Sequence, residues 1–478
     1  MSATEHYEAP PNGFRTFLIL WVTQSLSAFG SALTFFAITI WLAQTLYPRE
    51  EQKPQLAFAL TAISLAFTLS VLLAPVAGAW ADRHDRKRTM LVVDVANGFL
   101  SLLLMSLMIA KALEVWMLII MVAAFAILSQ FHSSAFDTSY AMIVPEKQLP
   151  RANGMMQTMW ALSGILSPAL AAILISLPGL ARQGLVPGGL REMLAPLQDG
   201  APLAIGIDAA TFFIAAAILP FLFIPSPRRT DLGHSETGVT KKKSMWADIK
   251  EGARYIRHRP PLLWLLATFT VINFATSPVE IFIPLLLKFN LVGDWTSLGL
   301  SFESAFALVA TLGGIGGVIG GVVMSVWGGL KGKKVYGVVV PILIAGVMQI
   351  IFGLSSFVYL SAAMNFVLIG LIPIMNSHSQ TIWQTQVPRE LQGRVFSVRR
   401  VIAQFSAPLG VTLAGLAGGF LDPGIVLVAL GALVVVFCIG QLFNPYLLRV
   451  EDKAWVEGLA AEAQRVQQDK HNKTNRAA

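Results

Sequence analysis

This chain has almost nothing with which to brace a small secreted fold. Cys438 is the one cysteine in 478 residues, so no intrachain disulfide is possible. It falls midway along an apolar run and reads as packing. Charge is equally scarce: Asp, Glu, Lys and Arg make up 13% of the residues, against ~25% in a soluble domain. Water is therefore not the principal solvent. Catalytic signatures are missing as well. Gly328-Gly-Leu-Lys-Gly-Lys-Lys lacks the spacing and the hydroxyl residue of a phosphate-binding loop, and no His-Glu-x-x-His or paired-cysteine motif occurs. No enzyme activity, metal centre or cofactor is expected, and no motor driven by its own ATP hydrolysis. Residues 1–14 carry Glu5 and Glu8 but no Lys or Arg, so a cleaved export leader is not expected either. The first apolar run is expected to direct its own insertion.

What the chain has in abundance is apolar length. Hydrophobic residues are 55% of the total, and the mean hydropathy is +0.64. Apolar runs cover about 16–46, 56–81, 90–110, 115–143, 152–179, 202–224, 262–287, 297–327, 335–354, 357–386, 395–421 and 423–447. Each is long enough to cross a hydrocarbon core, which takes ~20 residues as a helix. None alternates over ten residues as a membrane-spanning strand would. Backbone groups in lipid must be satisfied within their own segment, so the runs are predicted to be helices. The expected fold class is an all-α membrane protein with twelve spans.

The net charge of +8 is distributed by side rather than by patch. Only Arg49, Lys53, Lys111, Arg182, Arg191 and Lys288 fall in loops after odd-numbered runs. All other Lys and Arg are assigned to the termini and to the loops after even-numbered runs, which leaves none inside a span. Basic loops stay on the cytoplasmic side, so both termini are expected inside the cell membrane. The charge excess is a topology signal and gives no reason to expect a nucleic-acid partner.

Residues 225–260 are the only long polar interruption. They end in a segment where Trp246, Ile249, Ala253 and Ile256 recur at helical spacing beside Lys250, Arg254 and Arg257. This reads as an amphipathic helix at the membrane surface, or as a solvated linker. The interruption divides the chain into a six-helix bundle at 1–224, a cytoplasmic linker at 225–260, a second six-helix bundle at 261–448 and a cytoplasmic tail at 449–478. The halves echo each other. Val144-Pro145 with Arg151 recurs at the same offset as Val387-Pro388 with Arg394, and such repeats underlie alternating access in many transporters.

The loop after run 2 reads Pro75-Val-Ala-Gly78-Ala-Trp-Ala-Asp82-Arg83-His84-Asp85-Arg86-Lys87-Arg88. Gly78 would permit close helix approach. Asp82 could face the positive end of a neighbouring helix, and Arg86 could pair with a carboxylate. This loop resembles the signature of the major facilitator superfamily, with Gly78, Asp82, Arg83, Arg86 and Lys87 at its positions and Asp85 in place of the usual glycine. The resemblance implies twelve helices in two pseudo-symmetric bundles and a cytoplasmic latch. In that latch Arg86 would pair with Asp137 and Asp82 would cap span 11. Residues 144–153, 382–396 and Ile207-Asp208-Ala-Ala-Thr-Phe-Phe are similar to the enterobactin-exporter and macrolide-efflux branch. Span 5 keeps small residues (Ser163, Gly164, Ser167, Ala171 and Ala172) where drug–proton antiporters of the superfamily are glycine-rich. Gly313, Gly317 and Gly321 share one face of run 8, with Gly316 and Gly320 nearby; helix packing accounts for them.

Five acids lie in or at the edges of the runs. A charged residue at a helix centre costs roughly 2.5–3.5 kcal/mol, and an unpaired carboxylate in a low dielectric tends to hold a proton. Asp94 and Asp137 read as structural ion-pair members. Glu280 and Glu303 lead as proton carriers, with Asp208 third; a neutral, hydrogen-bonded acid is the alternative. Gln24, Asn97, Gln130, His132, Gln157, Asn273, Asn365 and Asn376 could line a substrate cavity. The expected activity is secondary active export, driven by the proton gradient, of small amphipathic molecules such as drugs or siderophores. The protein would be a monomer in the inner membrane, with small solutes, protons and the lipid bilayer as partners. The alternatives are an importer or uniporter of the same fold, and a polytopic enzyme or scaffold without transport.

Overall fold

The computed structural model describes residues 10, 12–145, 148–224, 245–463 and 465. The linker residues 225–244 and the tail from 466 lie outside the described residues, as do the side chains of Asp82 and Gln157. Twelve helices are long and apolar enough to cross a membrane. Spans 1–6 are Gly13–Leu46, Glu50–Ala81, Arg86–Ile109, Val115–Tyr140, Gly154–Arg182 and Ala201–Phe221. Spans 7–12 are Pro260–Phe289, Phe302–Trp327, Tyr336–Leu354, Val358–Gln386, Arg394–Phe420 and Pro423–Leu442. Each predicted run corresponds to one helical span, because a segment in hydrocarbon can satisfy its amides only internally.

Proline marks where the helices depart from regularity. Pro168 and Pro178 lie within span 5, Pro341 in span 9, Pro373 in span 10 and Pro408 in span 11. Span 7 is divided. Its first helix stops at Thr276, and a second, Val279–Phe289, starts after Ser277 and Pro278.

The chain forms two compact units. One holds spans 1–6 together with residues 287–311; the other holds the amphipathic helix, the rest of spans 7 and 8, and everything beyond. The stretch from 287 therefore groups with the first unit, a placement that division at the linker alone does not foresee. Lys288 of that stretch donates to the carbonyl oxygens of Ala43 and Tyr47, the end of span 1, where helix carbonyls lack partners.

Inside each unit the pairing scheme is the same. In the first, span 1 packs on spans 5 and 6, span 3 on spans 6 and 4, and span 2 on span 4. In the second, span 7 packs on spans 11 and 12, and span 9 on spans 12 and 10. Span 8 touches span 10 through glycine. Adding six to every label of the first unit gives the second, so the repeat hinted at by the Val-Pro loops is a repeat of the whole packing plan.

The two halves are glued differently. Spans 9 and 12 meet glycine on glycine: a β-carbon on Gly353 would sit 2.5 Å from the carbonyl oxygen of Gly424, and one on Gly431 2.8 Å from that of Gly346. On span 8 the tight contacts belong to Gly316 and Gly320, whose β-carbons would strike the carbonyls of Phe366 and Gly370. Gly321 faces open space. The partner helix is thus met along 313, 316, 317 and 320, and of the expected 313/317/321 face only Gly321 stands clear.

The amphipathic helix is Met245–Arg257. It is anchored to protein: the Tyr255 hydroxyl donates to the Gln386 carbonyl at 2.9 Å, and Glu251 pairs with Arg394 at 2.8 Å. Burial holds the Tyr255 phenol above its usual range, with Arg259 pulling it down and Glu457 pushing it up. Helical residues 453–463 follow span 12, and Glu457 there pairs with Arg259 at 2.7 Å. One assignment from sequence needs correcting. Arg399 and Arg400 are not loop residues; they fall within the apolar run 395–421 and lie on the span 11 helix, Arg389–Phe420.

Replacing Gly320 by valine should overpack the span 8–span 10 contact at a cost of about 1–3 kcal/mol. Gly321→Val should be close to neutral. Thermal unfolding of the two purified variants checks this; equal losses would show that the contact face is wrongly assigned.

Candidate functional site

The corner after span 2 is built from helix ends. Span 2 finishes as Ala74–Arg83 and span 3 begins at Arg86. Asp85 caps the new helix, its carboxylate accepting the Arg88 N–H at 2.8 Å. Arg86, only 7% exposed, donates from Nε to the Ala81 carbonyl at 3.2 Å and reaches the Met142 sulfur. Lys87 Nζ donates to the carbonyls of Pro220 and Leu222, at 2.7 and 2.9 Å, where span 6 ends. The last carbonyls of a helix have no intrahelical partner and carry partial negative charge. Both basic residues therefore act as C-terminal caps, Arg86 on span 2 and Lys87 on span 6. Trp80 stacks on His84 with ring centres 3.7 Å apart, while Arg83 is exposed.

Two expectations for this corner need correcting. The Arg86–Asp137 ion pair is not made here: Arg86 is turned back onto span 2, and Asp137 is exposed. A β-carbon at Gly78 would meet no atom within 4 Å, so no close helix approach depends on that glycine in this arrangement. The Asp82 side chain lies outside the described residues. Asp85, which looks like a mere departure from the motif, supplies the cap; an Asp three residues before a backbone N–H at a helix start is the signal that could have revealed it.

Span 3 carries a polar stripe. Asp94, Asn97 and Ser101, three and four residues apart, share one helix face, and all three are buried. Its two ends do different things. At one end, Ser101 donates to Asp208 of span 6 at 3.1 Å, and the same carboxylate accepts from Thr34 at 2.9 Å and Ser31 at 3.4 Å of span 1. Gly30 makes room for it, since a β-carbon there would lie 2.8 Å from Asp208 Oδ1. Asp208 thus ties spans 1, 3 and 6 together.

At the other end, Asp94, wholly buried, lies with Oδ1 3.2 Å from His132 Nε2 of span 4. The approach is close, yet neither Asp94 oxygen has an aligned hydrogen-bond donor among the described residues. Sequence reasoning assigned these two residues to separate roles, ion pairing and cavity lining. The fold brings them together as a buried acid–base pair, because residues 94 and 132 sit at matching depths on antiparallel neighbours.

The remaining candidates separate by partner. Gln130 bonds Ser70 of span 2 at 3.3 Å, and Asn273 bonds the Ala403 carbonyl of span 11 at 2.9 Å. Asn365 packs against Gly313 of span 8. These three serve helix association. Gln24 and Asn97 are buried, and Asn376 is exposed beside Arg399. Glu303 occupies the first turn of span 8, where the helix dipole favours an acid. Glu280 occupies the first turn after the break in span 7 and is exposed. Among the described residues, no group of three His, Cys, Asp or Glu could hold a metal ion.

Comparison with known proteins agrees along nearly the whole chain. A family model described as Major Facilitator Superfamily matches residues 20–411. Macrolide efflux protein A of Streptococcus pyogenes is 26% identical over 406 residues, 84% of this chain and 88% of that one. The multidrug efflux pump Tap of Mycolicibacterium fortuitum is 25% identical over 365 residues, 74% of this chain and 79% of that one. Among solved structures, a bacterial homologue of the human lysosomal transporter Spinster superposes with a TM-score of 0.61 at 16% identity, covering 96% of this chain and 98% of that one. A bacterial homologue of the iron transporter ferroportin gives 0.59 at 15% identity, covering 90% and 99%.

Asp208→Ala would strand three hydroxyls and should cost about 1–3 kcal/mol, with Asp208→Asn milder. Thermal unfolding of the purified variants decides this, and an unchanged transition in Asp208→Ala would remove the knot from the fold's energetics.

Proposed function

The chain belongs to the Major Facilitator Superfamily, and from that membership we propose that it is a proton-coupled exporter of small amphipathic molecules. It is a multi-pass membrane transporter; direction, driving ion and cargo are the proposed parts. Export rests on the extended match to relatives described as efflux proteins, which spans 84% of this chain in the case of macrolide efflux protein A. In the proposed cycle a proton taken from the outer side is released inside as cargo leaves, with no other cofactor.

The observation that carries proton coupling is the buried Asp94–His132 pair. A carboxylate and an imidazole held together away from water can exist as an ion pair or as two neutral groups, and moving between these states requires a proton. Glu280, an acid at the start of a half-helix inside a membrane, is the second coupling residue. Glu303, likewise in the first turn of a helix, is a further coupling candidate. The basic loops give the orientation of this reading, with both termini inside the cell. The transporter would work in the inner membrane as a monomer without a nucleic-acid partner.

Everted vesicles with an imposed pH gradient test the direction. Interior-acid vesicles should accumulate a lipophilic dye such as ethidium when the chain is present, and accumulation should collapse on adding an uncoupler. Accumulation that needs no gradient would identify a uniporter instead. Asp94→Asn and Glu280→Gln should insert normally but lose gradient-driven accumulation by roughly tenfold or more, in line with the usual contribution of positioned proton carriers. Full accumulation in both variants would sink the assignment. Asp82→Asn and Arg86→Ala should cripple transport with insertion intact, the latter by freeing the span 2 end from its cap.

A further inference from the structure

Among the described residues, Arg399 of the second unit makes no ion pair with an acid. Arg399 lies on span 11 a little over one turn past Arg394, where an unpaired charge is costly unless it serves a purpose. Its guanidinium donates to Gln380 Oε1 at 2.8 Å and to Ser379 Oγ at 3.3 Å, both neutral. It also stands over the rings of Trp383 and Phe269, at 5.2 and 5.9 Å. These contacts turn it toward span 10 and account for its position, but they leave its charge unbalanced. Acids elsewhere in this unit pair with other cations: Glu251 with Arg394 at 2.8 Å, Glu457 with Arg259 at 2.7 Å and Asp452 with Arg449 at 3.7 Å. Arg400 next to it adds a second positive charge.

Arg399 opens onto a cleft of about 500 Å³ lined also by Asn376, Ser377, Gln380 and Thr381. That volume suits a small organic ligand. Every other lining residue offers an amide or a hydroxyl, and a guanidinium matches a carboxylate or phosphate with two parallel bonds. Trp383, fully buried beside it, has an indole N–H without an acceptor among the described residues.

We infer that Arg399 and this cleft form a recognition site for the anionic group, carboxylate or phosphate, of a small amphiphile. The inference rests on the efflux reading only in taking the occupant to be cargo. The guanidinium, held in place by Gln380, Ser379 and the two rings packed against it, selects an anion over a neutral molecule of the same shape.

The test is equilibrium binding of radiolabelled salicylate to the purified full chain in phosphatidylcholine nanodiscs. Salicylate should bind saturably, and salicylamide, with the same ring and no charge, should compete at least roughly tenfold less well, as expected when a hydrogen bond to a charged group is lost. Arg399→Gln should weaken salicylate by a similar factor, Arg399→Lys by less, and Arg400→Gln hardly at all. Asn376→Leu lines the cleft without bonding Arg399 and should weaken binding a few-fold, which keeps the test open should Arg399→Gln fail to fold. Unchanged salicylate affinity in folded Arg399→Gln or in Asn376→Leu, or equal competition by salicylamide, overturns the site. Adding phosphatidylglycerol to the discs separates sources: Arg399-dependent loss of salicylate supports the site with a lipid headgroup as occupant, and retained affinity supports it with a solute. Salicylate binding without any efflux in vesicles would remove the transport reading and leave the site, whereas efflux with no Arg399-dependent binding would do the reverse.

Discussion

Hydrocarbon offers a backbone amide no partner, and from that single constraint the rest of this structure follows. Each crossing must be a helix, so the interior of each unit is reached only by side chains, and every departure from helix must be repaired locally. The repairs are where the polar residues gather. Arg86 and Lys87 serve the orphaned carbonyls of spans 2 and 6, Lys288 those of span 1, and Asp85 the free N–H groups of span 3. The motif that names the family is thus also a set of helix caps. Asp85, Arg86 and Lys87 hold three helix ends in one corner before any role in a transport cycle is considered.

The same constraint makes polar side chains between spans conspicuous, because a buried group without a partner loses its hydration for nothing. Asp208 is fully answered by three hydroxyls and ties spans 1, 3 and 6. Asp94, among the described residues, is approached by the His132 imidazole alone. The contrast is between an acid held by three hydroxyls and one set against a base. Arg399 is a third case, a cation satisfied by neutral dipoles and rings.

Much of this was legible in the sequence, and the part that was not has a common cause. Apolar length alone located twelve helices, since spanning is a property of one segment at a time. The Gly78–Arg88 motif and the Val-Pro echo located the family and the repeat. Rotation about each helix axis was not legible, because in lipid both faces of a span are apolar and the usual amphipathic signal is erased. Gly321 was therefore placed on the contact face of span 8, which it does not join, and Asp94 was not joined to His132. Arg399 was counted with the loop although it falls inside the apolar run, because its charge was read as a topology signal. Glu280 and Glu303 looked alike by composition; the break in span 7 and the start of span 8 distinguish them only once helix ends are known.

The two units share one packing plan but differ in how firmly it is fastened. In the first, spans 1, 3 and 6 are joined by directional bonds onto a single carboxylate. In the second, the equivalent seam between spans 9 and 12 runs glycine against glycine, while the directional bonds are moved to span 7, from Gln349 of span 9 onto the Ala275 carbonyl and from Asn273 onto the Ala403 carbonyl of span 11. The consequence is a change of hub: a carboxylate shared by three helices fixes the first unit, and backbone carbonyls of spans 7 and 11 take the polar bonds of the second, leaving its span 9–span 12 joint to shape alone.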